Sequence, residues 1–230
     1  MTTPGPDHFF SCPHCKTVLR RWTIGSGNTF GSTLWSDGYL HAPMMPRAVQ
    51  VTRCSSCAKP FFVEDAEDLG EHWTYGSYRD DSEEPLPEGY KDAPAVEDAA
   101  PDALSELIRQ TEDRDRLRYL CMQTWHIYNQ VYRNPKAKGQ VNRPGGFVSN
   151  LEQLIGLLDD DRGQDQLMKA EALRELGKHS ESLAALEKIE AELGWVSDQI
   201  RAMAQAGLTT VGVLLRPGEE RRGHNEVIAE

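Results

Sequence analysis

Two pairs of cysteines constrain this 230-residue chain more than any other feature. Cys12 and Cys15 form one Cys-x-x-Cys pair, and Cys54 and Cys57 form the second. Each pair can wrap a tight turn that points both sulfurs at one ion, so two pairs supply a tetrahedron of four thiolates. Zn²⁺ accepts that geometry, and a closed four-sulfur shell leaves no position for water. The spacing therefore predicts one zinc ion with a structural rather than a catalytic role.

Two other interpretations of the cysteine pairs stay open. A Cys-x-x-Cys pair by itself is also typical of a thioredoxin-type redox dithiol, and four cysteines also suit an iron centre. No βαβ pattern surrounds either pair, and two pairs in succession favour a metal over redox chemistry. The fifth cysteine, Cys121, lies in helical surroundings and is expected to be a small buried side chain.

The segment between the pairs is longer than a compact ribbon needs. Thirty-eight residues separate Cys15 from Cys54, against roughly 15–20 in a compact ribbon. Turn-rich stretches at 25–31 and 35–38 indicate that an insertion loops out. Short β-prone runs flank both pairs. Hairpins with a cysteine turn at the tip resemble the zinc-ribbon family, so we expect residues 1–78 to form a small β-rich zinc ribbon with an inserted Gly-rich loop.

The formal charge of −11 is concentrated in about a tenth of the chain. Residues 79–102 carry 9 acidic and 2 basic side chains, whereas 1–78 carry 7 and 6 and 103–230 carry 20 and 17. The acidic segment has four prolines and few large apolar residues, so it cannot bury enough surface to offset its backbone entropy. We expect an extended linker. The alternative is an acidic strap that docks on one of two nearly acid-free basic stretches, 16–53 or 116–151.

Helical periodicity dominates the chain after the linker. Asp102 is the predicted N-cap of a first helix, Ser149 and Glu152 form a capping-box pattern, and Ser180 is expected to cap a later helix. A first short helix is expected to begin at Asp102. Five further helices are expected at about 112–133, 149–158, 164–176, 180–194 and 197–206. Residues 103–215 are thus predicted to be an all-α domain, and 216–230 a polar tail. The fold class is α+β.

Residues 167–189 resemble a tetratricopeptide repeat, in which small residues let two helices approach and leucines fill the seam. The matching positions are Ala170, Leu173, Leu176, Gly177, His179, Ser182 and Leu186. The departures are Gln166 in the usual tryptophan position, Lys169 in place of a leucine and Gly194 in place of the closing proline. The resemblance implies a stack of helical pairs, because each repeat is stabilised by its neighbours. A plain helical bundle is the alternative.

One helix carries the candidate partner-binding residues. Aromatic and basic side chains follow one another there and in the loop after it, and repeat stacks present concave faces to peptides. The candidates are Trp125, Tyr128, Tyr132, Arg133, Lys136 and Lys138. The competing interpretation is that the aromatic stripe is core.

Nucleic-acid binding and catalysis are weaker alternatives. Basic residues alternate with aromatic ones in the N-terminal region, but the sequence pI of 5.1 is unlike that of nucleic-acid modules. The residues concerned are Arg20, Arg21, Trp22, Phe30, Trp35 and Arg47. Ser36, Asp37 and His41 are close in sequence, yet Asp37-Gly38 is typical of a turn. No phosphate loop, nucleophile elbow or His-Glu-x-x-His motif occurs.

A ribbon with paired Cys-x-x-Cys motifs followed by tetratricopeptide-like helices resembles a type of bacterial protein that brings no agreed catalytic residues. We therefore interpret the chain as a non-catalytic zinc-containing adaptor or regulatory module with a protein or peptide partner. A nucleic-acid-associated accessory protein is the alternative, and an enzyme with an unrecognised site is a third. No apolar run approaches about 18 residues and no secretory signal is visible. We expect a cytoplasmic protein with no membrane association.

Overall fold

The computed structural model describes residues 2–74, 86–133, 143–187, 189 and 193–216. Strands and helices are both present, so the α+β class is confirmed. The strands are β1 (Thr3–Pro4), β2 (Asp7–Ser11), β3 (Val18–Arg21), β4 (Ile24–Ser26), β5 (Thr33–Trp35), β6 (Leu40–His41), β7 (Val51–Arg53), β8 (Pro60–Phe62), β9 (Glu67–His72) and β10 (Val213–Leu214). The helices are α1 (Pro101–Gln110), α2 (Arg114–Arg133), α3 (Phe147–Leu157), α4 (Gly163–Glu175), α5 (His179–Leu186) and α6 (Gly194–Gln205), and Val63–Asp65 is a short 3-10 turn.

The chain folds as two compact units. The N-terminal unit comprises Met1–Ser32 and Ala42–Gln110, and the helical unit comprises Thr33–His41 and Thr111–Glu230. This division differs from the boundaries that composition suggested at 78 and 103. A piece of the inter-cysteine insertion belongs to the helical unit, whereas α1 belongs to the N-terminal unit. Local composition carries no information on either assignment, because both depend on contacts far along the chain.

Strand β2 organises the N-terminal unit. It pairs antiparallel with β3, from His8 opposite Arg21 to Ser11 opposite Val18, and with β9 on its other side. Strands β7 and β8 form a second antiparallel pair, and β1 pairs with β4. One buried cluster lies between the β3–β2–β9 sheet and the β7–β8 pair. Its members are Phe10, Cys12, Leu19, Val49, Cys54, Phe61, Val63 and Val96.

The described part of the acidic segment packs on the N-terminal unit. Val96 donates its amide to the Arg20 carbonyl (2.8 Å), and Ala99 donates to Val51 (3.0 Å). The Tyr90 ring stacks on Phe9 at 4.7 Å between centroids. These contacts are made by the backbone and by apolar side chains, which count little in a composition dominated by acids. Residues 86–100 are therefore a docked strap, and residues 79–85 of the predicted linker lie outside the described residues.

Helix α1 closes the N-terminal unit by packing against β7 and β8. Pro101 is its first residue, so the prediction of Asp102 as N-cap was wrong by two positions. Proline suits the first helical position because its missing N–H would have no partner there. Arg53 on β7 holds the helix through Asp102 at 2.9 Å and Glu106 at 3.5 Å.

The helical unit is built around α4. Helix α3 packs on α2 and α4, and α5 and α6 pack on α4 and on each other. The buried cluster between α4, α5 and α6 consists of Leu167, Ala170, Leu186 and Ile200. The small residues Ala170 and Ser182 are both fully buried, which permits close approach of α4 and α5. Gly177 ends α4 in a left-handed conformation with φ +76°, as glycine does after many helices.

Two helix starts differ from the predicted caps. Helix α3 begins at Phe147 after the left-handed Gly146, and the Ser149 hydroxyl donates to the Gly146 carbonyl instead of capping. Helix α5 begins at His179, one residue before Ser180. Burial of the Phe147 ring beneath the Arg143 guanidinium, 4.2 Å from the ring centroid, extends α3 by one turn beyond the capping pattern.

The β5–β6 hairpin and strand β10, which pair with each other, complete the helical unit. Strand β5 pairs with β6 as a hairpin, and β10 pairs with β5 through Val213 opposite Trp35 and Leu214 opposite Leu34. The predicted tail beyond Arg216 lies outside the described residues. Over the part of the chain that the structure describes, none of the helices has the length and apolar character that crossing a bilayer requires.

We expect Ser182→Ala to stabilise the protein. The Ser182 hydroxyl is fully buried and has no hydrogen-bond partner among the described residues. Its removal relieves an unmet desolvation cost, so the free energy of unfolding rises by about 1 kcal/mol. Urea unfolding followed by circular dichroism measures the change. Ser180→Ala, on the exposed side of the same helix, is the control. A Ser182→Ala protein that is less stable than both the native chain and the control contradicts the prediction.

Candidate metal centre

Each cysteine pair lies in a tight turn between two strands. The first turn joins β2 to β3, and the second joins β7 to β8. In the first, Cys12 donates its amide to the Thr17 carbonyl (2.9 Å) and accepts from Lys16 (3.0 Å). In the second, Cys54 donates to Lys59 (3.0 Å) and accepts from Ala58 (2.9 Å). The two cysteine turns therefore share one hydrogen-bond pattern.

The residue after each pair shares an unusual conformation. Lys16 has φ +64° and Ala58 has φ +58°, and they are the only non-glycine residues with positive φ in the described chain. This conformation costs a residue with a Cβ about 1 kcal/mol or more, so it persists only where the surroundings hold it. Its repetition at matching positions indicates that both turns are shaped to direct their sulfurs the same way.

The four sulfurs converge within 4.8 Å of one another. Cys12 Sγ lies 3.9 Å from Cys57 Sγ, and Cys15 Sγ lies 3.6 Å from Cys54 Sγ. Four sulfurs at a Zn–S distance of about 2.3 Å stand about 3.8 Å apart in a tetrahedron. Disulfide bonds are much shorter, about 2.05 Å, and all four residues are free thiols. The arrangement thus has the dimensions of a four-thiolate metal site.

Burial divides the site into an inner and an outer half. Cys12 and Cys54 are buried and belong to the core, Cys57 is half-buried and Cys15 is exposed. Burial raises the pKa of Cys12, and it raises the pKa of Cys54 to about 12. Hydrogen bonding to Thr17, whose hydroxyl lies 3.3 Å from the sulfur, lowers the pKa of Cys15 to about 6. Without a cation, two protonated thiols would thus occupy the inner half, and a metal would displace their protons.

The structure places few of the other predicted binding residues on a surface. Trp125 is fully buried, and the Arg133 side chain is 5% exposed. Tyr128 and Tyr132 are half-buried, whereas Lys136 and Lys138 lie outside the described residues. The stripe on α2 is therefore largely core, which was the competing interpretation.

The serine, aspartate and histidine near residue 37 do not assemble. Asp37 is buried and forms an ion pair with Arg133, and the Ser36 hydroxyl accepts the Gly212 amide at 2.9 Å. His41 is exposed at the end of β6. These contacts give Ser36 and Asp37 structural partners.

Asp37 belongs to a buried ionic cluster in the helical unit, which the sequence reasoning missed. Asn129 Nδ2 donates to Asp37 Oδ2 and to Glu175 Oε1, both at 3.0 Å. Arg174 on α4 donates to both oxygens of Glu171, and both side chains are fully buried. The sequence contains no signal for this cluster, because Glu171, Arg174 and Glu175 follow the spacing of exposed helical ion pairs.

The cluster also holds the chain after α6. Arg174 donates to the carbonyls of Leu208 (2.6 Å) and Thr210 (2.9 Å), and Arg143 donates to Thr209. Arginine has five N–H donors in a fixed fork, so it can bind a carboxylate and backbone carbonyls together. Residues 208–210 are thereby fixed by two arginines.

Glu175 is the most perturbed acid of the cluster. It is fully buried and accepts the Trp125 indole N–H at 3.1 Å. Burial raises the pKa of Glu175 well above its usual range, and the carboxylates of Glu171 and Asp37 raise it further against the opposing effect of Arg174. Burial thus makes ionisation of this carboxyl less favourable than that of an exposed glutamate.

Comparison with known proteins yields no relative. Among protein-family models, curated proteins and solved structures, none matches this chain. The site geometry is accordingly the basis for any functional conclusion.

Alkylation of the cysteines tests the metal centre. We expect one zinc ion per chain and protection of all four thiols from iodoacetamide, with protection lost when a chelator removes the metal. After chelation all four thiols are labelled at pH 7, because the metal no longer shields their sulfurs. Peptide mass spectrometry measures the labelling of each cysteine. Cys121, buried on α2 with a pKa raised to about 11 by burial, reports opening of the helical unit. Equal labelling of the four with and without chelator contradicts the metal site.

Arg174→Met tests the buried ionic cluster. Glu171 is left as an uncompensated buried charge, so the free energy of unfolding falls by about 3–5 kcal/mol. Arg162→Met is the control, because Arg162 is mostly exposed and its pairing with Asp159 at 3.7 Å is a surface contact. Urea unfolding compares the two. If the two variants lose free energy of unfolding to within about 0.5 kcal/mol of each other, the buried pair contributes no more than a surface pair.

Proposed function

We propose that this chain is a non-catalytic adaptor whose N-terminal unit is a zinc ribbon stabilised by one structural zinc ion. The observation that carries the proposal is the set of four cysteine sulfurs within 4.8 Å on two matching turns. Four thiolates complete a tetrahedral shell, so the ion has no position left for water or substrate. The proposed role of the metal is therefore to hold the fold. In a cytoplasmic setting the cysteines stay reduced, as such a site requires.

Zinc is the metal that best suits this shell. It binds four thiolates tetrahedrally without redox chemistry, and structural zinc sites contribute about 10–16 kcal/mol in finger peptides. The N-terminal unit has a need for that contribution, because two of the eight residues in its main buried cluster are themselves cysteines. A small core with few large aliphatic side chains is typical of domains that depend on a metal.

The helical unit supports the adaptor part of the proposal. Ala170, Ser182 and Leu186 are buried where tetratricopeptide helices pack, and Gly177 lies at the turn between α4 and α5. Stacks of such helical pairs commonly serve as protein-binding scaffolds. We propose that α4 and α5 form one tetratricopeptide-like pair and that the unit has this general role.

Exposed apolar side chains favour a protein partner over a nucleic acid. Phe30 is 80% exposed and Met45 is 49% exposed. Met45 lies beside the loop that carries Phe30, since a Cβ placed on Gly27 of that loop would be 3.5 Å from Met45 Cγ. Solvent-exposed aromatic and methionine side chains are enriched in protein interfaces.

Two of the three arginines that suggested nucleic-acid binding, Arg20 and Arg21, have internal contacts. Arg20 donates to Asp7 at 2.6 Å and to the Ala93 carbonyl at 3.0 Å. Arg21 donates to His8 Nδ1 and to the Val49 carbonyl, both at 3.0 Å. Guanidinium groups engaged in this way have fewer donors left for phosphates, whereas nucleic-acid affinity depends on such contacts. Protein or peptide is the partner class that we propose.

A doubly substituted chain tests the partner class. We expect Phe30→Ser with Met45→Ser to weaken capture of specific proteins by the full-length zinc-bound chain by about tenfold or more, as loss of an interface anchor does. Val148→Ser, which alters another exposed apolar side chain (52%), is the matched control. Quantitative mass spectrometry of proteins captured at native abundance supplies the measurement.

Two results count against the proposed function. Metal analysis that finds well under one zinc per chain rejects the structural-zinc role. Binding of pooled RNA or DNA at low salt that weakens steeply as salt increases, together with capture unaffected by the double substitution, supports the nucleic-acid alternative instead.

A further inference from the structure

The hairpin β5–β6 links the two cysteine pairs to the helical unit. In sequence it lies midway between Cys15 and Cys54, yet Thr33–His41 belongs to the helical unit. The chain therefore leaves the N-terminal unit after Ser32 and returns to it at Ala42. Residues 16–32 connect the hairpin to Cys15, and residues 42–53 connect it to Cys54.

Inside the helical unit the hairpin supplies a charge that α2 needs. Asp37 at the hairpin tip is fully buried and pairs with Arg133, whose side chain is almost fully buried too. Asp37 Oδ2 also accepts from Asn129 Nδ2 at 3.0 Å, and its backbone carbonyl contacts His126 Nε2 at 3.1 Å. Three residues of α2 therefore depend on one residue of the hairpin. Arg133 also lies over the Tyr39 ring, 4.2 Å from its centroid.

The hairpin also anchors the chain after α6. Ser36 donates its amide to the Gly212 carbonyl at 2.8 Å, and its hydroxyl accepts the Gly212 amide at 2.9 Å. Strand β10 pairs with β5 directly after that contact. When the hairpin leaves its position, Arg133 loses its carboxylate and the Trp35 and Tyr39 rings beside it, and β10 has no strand to pair with. Such losses are strongly destabilising in an interior.

A metal at the four cysteines would restrict the conformations that the undocked hairpin can adopt. It would cross-link Cys15 to Cys54 and close the 38-residue segment between them. Closing such a loop removes conformational freedom that the undocked hairpin would otherwise regain. Without the metal, the segments on either side of the hairpin lose much of the N-terminal structure that restrains them. Docking of Asp37 then carries a larger entropic cost, so the docked state becomes less populated.

We propose that metal binding at Cys12, Cys15, Cys54 and Cys57 is energetically coupled to docking of the β5–β6 hairpin, so that the helical unit senses whether the metal site is filled. The proposal rests on the proposed function in one respect, since it takes the four cysteines to bind zinc. Coupling free energies are reciprocal: the factor by which zinc favours docking is the factor by which docking favours zinc binding, so loss of docking weakens zinc binding by up to that factor. The helical unit would then lose its packing around Arg133 when zinc is removed.

Hydrogen exchange on the full chain tests the first direction. Zinc-bound protein is compared with protein after chelation, and amide exchange is followed by mass spectrometry. We expect exchange in peptides covering 120–133 and 207–214 to be about 5- to 150-fold faster without zinc, the range typical of allosteric coupling. Peptides of α5, which has no hydrogen bond to the hairpin in the described residues, serve as the internal reference and change least. Exchange in 120–133 and 207–214 that stays the same after complete zinc removal overturns the proposal.

Zinc affinity of variants tests the reverse direction. We expect Asp37→Ala to lower zinc affinity about 5- to 150-fold, measured by competition with a chromophoric chelator. Asp159→Asn is the matched control, because Asp159 also pairs with an arginine, Arg114 at 2.6 Å, but away from the hairpin. Ser36→Ala is a milder second variant for the case that Asp37→Ala does not fold. Affinities of Ser36→Ala and of a folded Asp37→Ala that equal that of Asp159→Asn refute the coupling.

Failure of this proposal can be told apart from failure of the proposed function. A native chain that contains no zinc rejects the zinc site itself. A chain that binds one zinc, but whose helical unit exchanges identically with and without it, keeps the zinc site and rejects only the coupling.

Discussion

The convergence of four cysteine sulfurs is the contact on which the N-terminal unit depends. Its strands are short, and two of the cysteines, Cys12 and Cys54, are part of the same buried cluster as Phe10 and Phe61. A metal ion there would serve as both a cross-link and a core element. The two cysteine turns position β2–β3 and β7–β8, and the docked strap and α1 then pack on these strands.

The helical unit depends on a different interaction, the burial of paired charges. Arg133 with Asp37 and Arg174 with Glu171 are removed from solvent, and each arginine also donates to a backbone carbonyl, Arg133 to His126 and Arg174 to Leu208. Replacing such a pair with apolar residues is often neutral, but removing one partner is costly. Charges of this kind therefore specify which segments belong together more than they add stability. Here their contacts hold the β5–β6 hairpin and the chain after α6 in the helical unit.

Several elements could be predicted because their signals are local. The cysteine spacing, the apolar periodicity of α2 and the glycine after α4 each act within one turn or one helix. The start of α5 was misplaced by one residue, and the start of α3 was misplaced because packing of Phe147 extended the helix beyond its polar capping pattern. The strap at 86–100 was assigned to a linker because its acidic side chains dominate the composition, whereas Tyr90, Val96 and backbone hydrogen bonds make its contacts.

The sequence by itself determined that four cysteines in two pairs could share one ion and that a helical region follows. Those conclusions need only residue types and their spacing, because thiolate chemistry and helical periodicity are local properties. Tertiary structure alone decided that Asp37 belongs with Arg133 and that Trp125 lies in the core. A charged residue looks the same in sequence whether its partner is water or an arginine 96 positions away. Only the folded chain determines which of the two surrounds it.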